Sequence, residues 1–356
     1  MFDRRLLKNF DLVLFFSMLF LSILGILLIY SSSKMYVNKQ LYWILVGLGL
    51  FVVTISIDYR ALLKMNLFFF AGLLIFLIYL AFFASSGGGA SRSVRMLGFS
   101  FQPAEFMKVS LLLLLSEIFS TAAKNKLTLR NLFIPGTIII LLMLLIFKQP
   151  DLGTALLYFV LFLAFIYMAG VSIKDIIFML TPLFVLSPII FYNLKPYQQN
   201  RIFTFLNPWK DVKGAGYNVI QSIIAVGSGG FSGKGFMAGT QSQLNFLPSK
   251  HTDFIFSVFA EQFGFIGVLL LFAVYFVFLY KIIAVLKNVK LAVEYYILSG
   301  IFMLFFLHIF INIGMAIGIL PVTGLTLPFI SYGGSDIIVF FIAIGIVENI
   351  RMRSNL

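Results

Sequence analysis

Residues 12–32 read LVLFFSMLFLSILGILLIYSS and contain no charged side chain. A helix needs about 20 mostly apolar residues to cross roughly 30 Å of hydrocarbon, so this run is long enough to span a bilayer. Basic residues precede it, as in a signal peptide, but it is too long for a signal core and no small-residue cleavage pattern follows. We therefore predict that it is a retained first membrane span.

Comparable apolar segments recur along the whole chain. They lie roughly at residues 12–32, 40–57, 65–83, 102–122, 132–147, 152–169, 176–193, 253–281, 293–315 and 334–350. Each is too long for a strand of a membrane barrel and lacks strict alternation. Helices are the remaining way to satisfy backbone polar groups in lipid. The sequence predicts an all-α polytopic membrane protein of about ten transmembrane helices, forming one membrane domain over residues 1–356.

The composition excludes several other classes of protein. Hydrophobic residues make up 61% of the 356 residues and charged residues only 11%, whereas a soluble domain is about half apolar and a quarter charged. The chain has no cysteine, which excludes disulfides and cysteine-based sites, and its two histidines argue against a histidine-built zinc site. The net charge of +13 comes from short Lys and Arg clusters between apolar segments, a pattern of membrane ends and not of nucleic-acid binding.

Positive charge is distributed unevenly between alternate loops. With the N-terminus inside, the inner segments hold 14 basic residues and the short outer loops hold 5. The inner set is Arg4, Arg5, Lys8, Arg60, Lys64, Lys124, Lys126, Arg130, Lys174, Lys281, Lys287, Lys290, Arg351 and Arg353. The outer set is Lys34, Lys39, Arg92, Arg95 and Lys148. The positive-inside rule predicts that both termini are cytoplasmic.

The segment 194–252, between the seventh and eighth predicted spans, is then an extracytoplasmic loop. Its many glycines would suit a disordered linker, but aromatic and aliphatic residues are interleaved with them. Long loops in compact proteins are usually functional or disordered, and this composition favours an ordered loop packed on the membrane domain. Residues 229–235 (GGFSGKG) resemble a phosphate-binding loop only superficially, because the GxxxxGK[ST] form is absent.

Ionisable residues inside spans are costly and are usually functional. Glu105 and Lys108 lie three residues apart in the fourth span and share one helix face; they either fix helix packing as a buried ion pair or contribute to a site. Asp151 begins the sixth span, where a helix cap is the favoured interpretation over catalysis. His308 lies alone in an apolar span and is interpreted as a core residue.

Asp253 is the acid of greatest interest. It lies where the glycine-rich loop enters the eighth span, flanked by Lys250, His251 and Thr252, with Glu261 two turns deeper. Either Thr252 or Asp253 could simply cap the helix. Its place beside the loop favours a functional role instead. Scattered basic residues of the loop, including Arg201 and Lys234, would suit an anionic headgroup beside glycine-rich backbone.

Several motifs follow one another along the chain in a recognisable order. They are QPAEFMK at 102–108, KQPDLGT at 148–154, the glycine-rich stretch 207–241, HTDFIF at 251–256, LPVTG at 320–324 and PFISYGGS at 328–335. Together they closely resemble the SEDS family, the shape, elongation, division and sporulation proteins. Within it, GTQSQLNFLP at 239–248 is similar to the elongation members and not to the division members.

The resemblance implies a peptidoglycan glycosyltransferase that polymerises lipid II at the outer face of the bacterial cytoplasmic (inner) membrane during cell elongation. Lipid II is an undecaprenyl-pyrophosphate-linked disaccharide pentapeptide. By resemblance Asp253 is the essential acid, and our hypothesis makes it the general base of an inverting transfer. We expect substrate contacts from Glu105, Lys108, Arg92, Arg201, Lys234, Lys250, His251 and Thr252.

The family also implies a partner, a class B penicillin-binding protein that crosslinks the strands, and the elongation machinery around it. The basic loop residues, with or without a divalent cation, would stabilise the pyrophosphate leaving group; no other cofactor is expected. Two rival functions remain open. A lipid II flippase would need charges along a path reaching both sides of the membrane, and a non-catalytic scaffold for a transpeptidase would not need Asp253.

Overall fold

The computed structural model describes residues 6–83, 85–86, 89–90, 92–96, 99–123, 129–149, 151–194, 196–211 and 214–354. Thirteen α-helices lie in these ranges. They are α1 (Leu12–Ser32), α2 (Val37–Ser56), α3 (Tyr59–Phe82), α4 (Pro103–Ala123), α5 (Leu129–Lys148), α6 (Leu152–Met168), α7 (Ile173–Asn193), α8 (Pro196–Leu206), α9 (Ala215–Ser228), α10 (Thr240–Gln243), α11 (Ile255–Leu286), α12 (Ala292–Ala316) and α13 (Gly334–Ser354).

Two small antiparallel hairpins lie between α3 and α4. Their strands are β1 (Ser85–Ser86) with β2 (Gly89–Ala90), and β3 (Val94–Met96) with β4 (Phe99–Phe101). Short 3-10 segments occupy Leu6–Asn9, Lys34–Tyr36 and Pro208–Asp211. These hairpins bring the end of β4 directly to the start of α4.

The all-α membrane fold is confirmed. Each predicted apolar segment is helical in the described residues. The first helix, α1, has the predicted bounds. It begins at Leu12 because Asp11 caps it, accepting hydrogen bonds from the backbone N–H of Val13 and Leu14. Within the described part of the chain, five helices are long and apolar enough to cross a membrane: Leu12–Ser32, Lys34–Ser56, Tyr59–Phe82, Ile255–Leu286 and Ala292–Ala316. The total of about ten spans therefore stays a prediction.

The centre of the bundle is formed by α12 and α13, whose side chains are buried on nearly all sides. Close helix contact depends on glycine: a Cβ on Gly47 of α2 would lie 2.5 Å from the Phe341 ring of α13. The outer helices keep large apolar side chains exposed, for example Phe68 of α3 and Phe276 of α11. Such faces suit lipid, because membrane helices pack through small residues and leave apolar ones outward.

The segment 194–252 contains α8, α9 and α10 in its described part. The hydroxyl of Ser222 in α9 lies 2.6 Å from the Ser257 hydroxyl of α11 and donates to the Ala316 carbonyl oxygen of α12 across 2.6 Å. A Cβ on Gly229 would lie 2.1 Å from the Ala260 carbonyl oxygen, so the chain after α9 touches the backbone of α11. The side of the membrane on which this segment lies stays a prediction.

Polar residues tie the N-terminal region to the end of the chain. Asp11 pairs with Arg351 and, at 3.3 Å, with Lys281, and its backbone N–H donates to Glu348. From the charge asymmetry we expect this cluster to lie at the cytoplasmic end, and that orientation stays a prediction. Four of the basic residues counted for the inner segments, Arg4, Arg5, Lys124 and Lys126, lie outside the described residues. So does Lys213 of the segment 194–252.

Candidate functional site

A cavity of about 930 Å³ opens beside Asp253. Its walls come from the start of α2, the end of β4, the residues before α11, the loop 324–333 and the start of α13. Acids, hydroxyls and aromatic rings line it, including Asp253, Asp336, Thr326, Trp43 and Tyr332. This mixture suits a polar, ring-containing ligand, because aromatic faces pack on rings while carboxylates and hydroxyls make hydrogen bonds.

Asp253 is not a helix cap. The N-cap residue of α11 is Phe254, and it makes no side-chain cap bond; the Thr252 hydroxyl instead donates to the Ser249 carbonyl oxygen across 3.2 Å. The capping interpretation of Thr252 and Asp253 is therefore wrong. The carboxylate is near Gly324, because a Cβ added to that glycine would lie 3.9 Å from Asp253 Oδ2.

The environment of Asp253 makes its carboxylate a stronger base than an ordinary aspartate. Burial raises the pKa of Asp253, and the neighbouring Thr252 side chain and the positive charges of Arg201 and Arg92 lower it in part. The net direction is upward. A general base is most effective when its pKa approaches the working pH, so this direction suits a base.

Lys108 is the centre of a buried polar network. Its Nζ pairs with Glu105, lies 3.3 Å from Asp336 Oδ1 and lies 3.2 Å from His308 Nε2. An ammonium group has three protons, so all three have partners. The Nδ1 of His308 lies 3.0 Å from the Thr326 carbonyl oxygen, which accepts only; the ring proton is therefore on Nδ1 and Nε2 accepts from Lys108.

The predicted pairing of Glu105 with Lys108 is thus present, and His308 is a hydrogen-bonded core residue as interpreted. Lys108 is fully buried and Glu105 is 4% exposed, so neither side chain forms the cavity surface. Asp336, whose side chain is 16% exposed, connects this pair to the cavity. A role of Glu105 and Lys108 towards a ligand would pass through Asp336.

Lys250 and His251 are held beside the cavity by their own contacts. Lys250 Nζ donates to the Ser242 carbonyl oxygen and, across 2.7 Å, to Asn245 Oδ1. The His251 ring stacks on Tyr36, with centroids 4.3 Å apart and an interplanar angle of 14°. Burial lowers the pKa of both residues, and the charge of Lys250 lowers the pKa of His251 further. Through the contacts of Lys250 with Ser242 and Asn245 and of His251 with Tyr36, both side chains position the segment that carries Asp253.

The remaining basic residues lie in different places. Arg92 Nε donates to the Gln149 carbonyl oxygen across 2.9 Å, and Arg201 of α8 lines a smaller cavity of about 190 Å³ with Pro321. Both act on Asp253 through their charge. Lys234 is instead 2.9 Å from Glu261 Oε1, which places it in a structural ion pair.

Asp151 caps α6, as the sequence indicates. Its Oδ1 accepts from the Thr154 backbone N–H and its Oδ2 from the Thr154 hydroxyl, each across 3.1 Å. Gln102 Nε2 also lies 3.4 Å from Oδ2. This contact connects the cap to β4 and the cavity wall.

Asp336 and Thr326 are among the cavity residues that the sequence analysis did not assign to the site. Asp336 follows the PFISYGGS motif directly and lies in the first turn of the last predicted span. An acid inside a membrane span is energetically costly and usually functional, so this position could have indicated a site residue. Thr326 lies between two recognised motifs and carries no such signal.

In the described ranges no three His, Cys, Asp or Glu residues are grouped as metal ligands; Asp253 and Asp336 are the acids that the cavity offers to a cation.

An apolar groove lies on the outer face of α3. It has a volume of about 470 Å³ and is lined by Met65, Phe68, Phe69, Gly72, Leu73, Phe76 and Phe101. The ring of Phe101 at the end of β4 packs edge-on against Phe76, with centroids 6.1 Å apart. Ser100 and Gln102, the neighbours of Phe101, line the main cavity. The strand β4 therefore lies between the groove and the cavity.

Comparison with known proteins gives consistent matches over the whole chain. The model of the FtsW, RodA and SpoVE family, described as cell cycle protein, matches residues 5–356. The peptidoglycan glycosyltransferase RodA of Treponema pallidum is 31% identical, over 98% of this chain and 99% of its own length. The peptidoglycan glycosyltransferase MrdB of Escherichia coli is 34% identical, over 96% of this chain and 94% of its own length.

Solved structures show the same fold. A chain from a structure reporting "Structural coordination of polymerization and crosslinking by a peptidoglycan synthase complex" has a TM-score of 0.83 at 29% identity, covering 97% of this chain and 98% of that one. The rod shape determining protein RodA of Thermus thermophilus has a TM-score of 0.72 at 24% identity, covering 98% of each chain. At 24% identity, the likeness to the Thermus thermophilus protein shows only that the two chains share a fold.

Proposed function

The chain belongs to the FtsW, RodA and SpoVE family of cell cycle proteins, and we propose that it is a peptidoglycan glycosyltransferase of cell elongation. Two full-length relatives above 30% identity carry that activity in their names. A structural neighbour at 29% identity comes from a peptidoglycan synthase complex. The proposed substrate is lipid II, which this chain polymerises into glycan strands.

The position of Asp253 supports the site more than any other observation: it lines a polar cavity, it is not the N-cap residue of α11, and its pKa is raised. A carboxylate whose only task was helix capping would accept a backbone N–H of the first turn, as Asp151 does in α6. Asp253 faces the cavity instead and is available to a ligand. We assign it as the general base.

The proposed reaction is a single inverting displacement. Asp253 removes the proton from the 4-hydroxyl of the acceptor sugar, and that oxygen attacks the anomeric carbon of the lipid-linked donor strand. The bond from the anomeric carbon to the pyrophosphate oxygen breaks, and the lipid pyrophosphate leaves with the bonding electrons. The α-linked donor becomes a β-linked product, as a displacement on the opposite face requires.

The leaving group carries negative charge and needs positive charge near it. Arg92 and Arg201 are close enough to Asp253 to lower its pKa, and we propose that they also stabilise the pyrophosphate. Lys234 is occupied by Glu261 and supports the glycine-rich segment instead. A divalent cation, if one takes part, would be held by Asp253 or Asp336 together with the pyrophosphate.

The lipid tail needs an apolar path that reaches the cavity. The groove on α3 is lined by apolar side chains and is separated from the cavity only by the strand β4. A polyprenyl chain in this groove would leave its pyrophosphate near β4. This supports a substrate that is half lipid and half sugar.

The cellular setting is part of the proposal. The charge asymmetry of the loops supports a multi-pass protein of the cytoplasmic membrane with both termini inside and the cavity outside. The neighbour from a complex that coordinates polymerization and crosslinking supports a class B penicillin-binding protein as partner. A flippase or a pure scaffold remains the alternative, and neither needs Asp253 as a base.

The test is lipid II polymerisation by the purified full-length protein in liposomes with its partner, whose transpeptidase serine is inactivated. We expect Asp253→Asn to lower the rate by about 10²- to 10⁴-fold, the usual contribution of a general base. The matched control is Asp175→Asn, which changes an exposed acid at the start of α7 and should leave the rate unchanged. Equal polymer from wild type and Asp253→Asn would reject Asp253 as the base.

A further inference from the structure

A second cavity, of about 190 Å³, lies between α8, α9 and the residues that follow α12. Its lining includes the guanidinium-bearing Arg201 of α8 and the amide-bearing Asn218 of α9. None of the described residues that line it is an acid. We call it the Arg201 cavity. The reaction described above uses only the charge of Arg201 and assigns no ligand to this space.

Arg201 presents a partly buried guanidinium group that has no counterion. In the described part of the chain it forms no ion pair and no hydrogen bond. A guanidinium group is always charged and carries five N–H donors in a fixed fork. This fork matches two oxygens of a phosphate or carboxylate group at once. The donors of Arg201 are therefore available to an oxyanion from outside the chain.

Asn218 adds a neutral donor to the same cavity. Its side chain is partly buried and forms no hydrogen bond to the described residues. An amide NH₂ group donates hydrogen bonds without adding charge. Apolar side chains such as Phe205 and Leu320 form much of the remaining wall, and interactions of charges are stronger beside such surfaces than in water. The cavity therefore suits an anion.

Size and charge distinguish the Arg201 cavity from the main cavity. The main cavity measures about 930 Å³, and its lining contains two acids, Asp253 and Asp336, and one basic residue, Lys39. Acids in the lining disfavour an anion beside them. A water molecule occupies roughly 30 Å³ of liquid, so the Arg201 cavity has room for several groups of that size. It suits a pyrophosphate group, whereas the main cavity suits a sugar.

The two cavities approach each other along one short stretch of chain. Val322 lines the Arg201 cavity, whereas Gly324 lines the main cavity near the Asp253 carboxylate. Two extended residues span at most about 7 Å. The charge of Arg201 also reaches Asp253 and lowers its pKa in part. An anion bound at Arg201 therefore lies within reach of a substrate that contacts Asp253.

We propose that Arg201 and Asn218 bind the pyrophosphate of the lipid-linked donor, so that the donor and the acceptor sugar occupy separate cavities that meet at Asp253. This inference deepens the function proposed above and rests on it. Arg201 binds two pyrophosphate oxygens through its fork, and Asn218 donates to another. When the bond from the anomeric carbon to the pyrophosphate oxygen breaks, that oxygen keeps the electron pair and Arg201 stabilises the charge. The groove on α3, which adjoins the main cavity, then holds the lipid of the acceptor.

Farnesyl pyrophosphate, a short lipid pyrophosphate without a sugar, is the probe for direct binding to the purified full-length protein in detergent. We expect Arg201→Gln to weaken its binding by about ten- to a hundredfold, because the lost hydrogen bonds join charged groups. Asn218→Leu changes no charge and should weaken binding by about three- to tenfold. Lys210→Gln removes an exposed charge of the same segment and should bind as wild type does. Farnesol, which lacks the anion, should bind equally to all four proteins.

Kinetics with two separate substrates identify the lipid whose pyrophosphate binds in the Arg201 cavity. A short lipid-linked strand serves as donor and lipid II as acceptor, and the concentration of each is varied in turn. Arg201→Gln and Asn218→Leu should raise the KM of the donor strand and leave the KM of lipid II unchanged, because only the donor contacts these residues. A rise in the KM of lipid II alone would place the acceptor in this cavity and overturn the proposal.

Thermal unfolding first compares each variant with wild type, and two independent variants keep the test decisive if one does not fold. Unchanged farnesyl pyrophosphate binding in the folded variants, or equal weakening by Lys210→Gln, would overturn the Arg201 cavity as a specific site. Polymer from wild type in the same experiment would leave the proposed glycosyltransferase intact. Binding that depends on Arg201 and Asn218 without any polymer from wild type would overturn the proposed function and leave the anion site.

Discussion

The side-chain amide of Asn312 donates a hydrogen bond to the backbone carbonyl oxygen of Asp253 across 3.0 Å. The same Nδ2 donates to the Leu325 carbonyl oxygen across 2.7 Å. Asn312 belongs to α12, the most buried of the five candidate spans. One amide thus fixes the segment before α11 and the loop 324–333 at a constant separation, and these two segments carry the proposed base and the cavity floor.

Asn312→Leu should reduce the rate of polymerisation by roughly tenfold to a hundredfold with little change in KM, because a small displacement of a catalytic group is costly. The variant should also unfold at a lower temperature, since two buried carbonyl groups lose their donor at about 1–3 kcal/mol each. Asn288→Leu, which removes an exposed amide at the end of α11, should leave both rate and stability unchanged. An unchanged rate in Asn312→Leu would show that Asp253 is positioned by other contacts.

The pH dependence of activity should report the raised pKa of Asp253. The acidic limb of kcat/KM follows the ionisation of the base in the free enzyme, so it should lie above the ordinary aspartate value of 3.8. Arg201 stabilises the ionised carboxylate. Replacing it by glutamine removes that stabilisation, which raises the pKa and moves the limb to higher pH.

The measurement is the pH dependence of kcat/KM for lipid II between about pH 4 and 8. It compares wild type, Arg201→Gln and Lys210→Gln. Lys210 is an exposed lysine of the same segment, so its replacement should leave the limb in place. A limb that moves to lower pH in Arg201→Gln would contradict the assignment of Asp253 as the titrating base.

Lys108→Met should destabilise the protein by about 3–5 kcal/mol, since it leaves the buried Glu105 and the partly buried Asp336 without their cation. Adding Glu105→Gln should recover part of the loss, because the second change removes one of the two uncompensated charges. Thermal unfolding in detergent measures both effects. Lys64→Met, at an exposed position of α3, is the control; equal effects of the two lysine variants would contradict the network.

Glu261 should hold the glycine-rich segment after α9 in place. Its carboxylate accepts hydrogen bonds from Lys234 Nζ and the Gln241 N–H, each across 2.9 Å, and from the Ser242 N–H across 3.3 Å. Glu261→Ala leaves these donors without their acceptor, so we expect local destabilisation of roughly 2–4 kcal/mol. Hydrogen exchange of residues 236–246 should become faster by about a hundredfold or more.

Lys234→Gln separates the ion pair from the backbone contacts of Glu261. Lys234 is 27% exposed, and partly solvated ion pairs contribute about 1 kcal/mol or less. Its replacement should therefore accelerate exchange only a few-fold. Similar acceleration in both variants would mean that the ion pair, and not the backbone acceptance, holds the segment.

The amino-acid sequence by itself determined the fold class and most helix bounds. Apolar runs of membrane length permit only helices, because backbone polar groups in lipid must be satisfied within the segment. The segment 152–169, for example, became α6 because Asp151 caps it locally. The motif 251–256 likewise marked Asp253, because the acid lies where the glycine-rich loop enters the eighth predicted span and because the motif resembles that of the family.

Only the tertiary structure decided which charges share the site. Lys234 belongs to the same glycine-rich region as Lys250, yet its partner is Glu261 of α11, and no local pattern indicates that pairing. Lys108 meets Asp336 across 228 residues, at a distance set by how α4 and α13 pack. Side-chain partners across helices depend on three-dimensional packing, whereas the helices themselves depend on neighbours within a few residues.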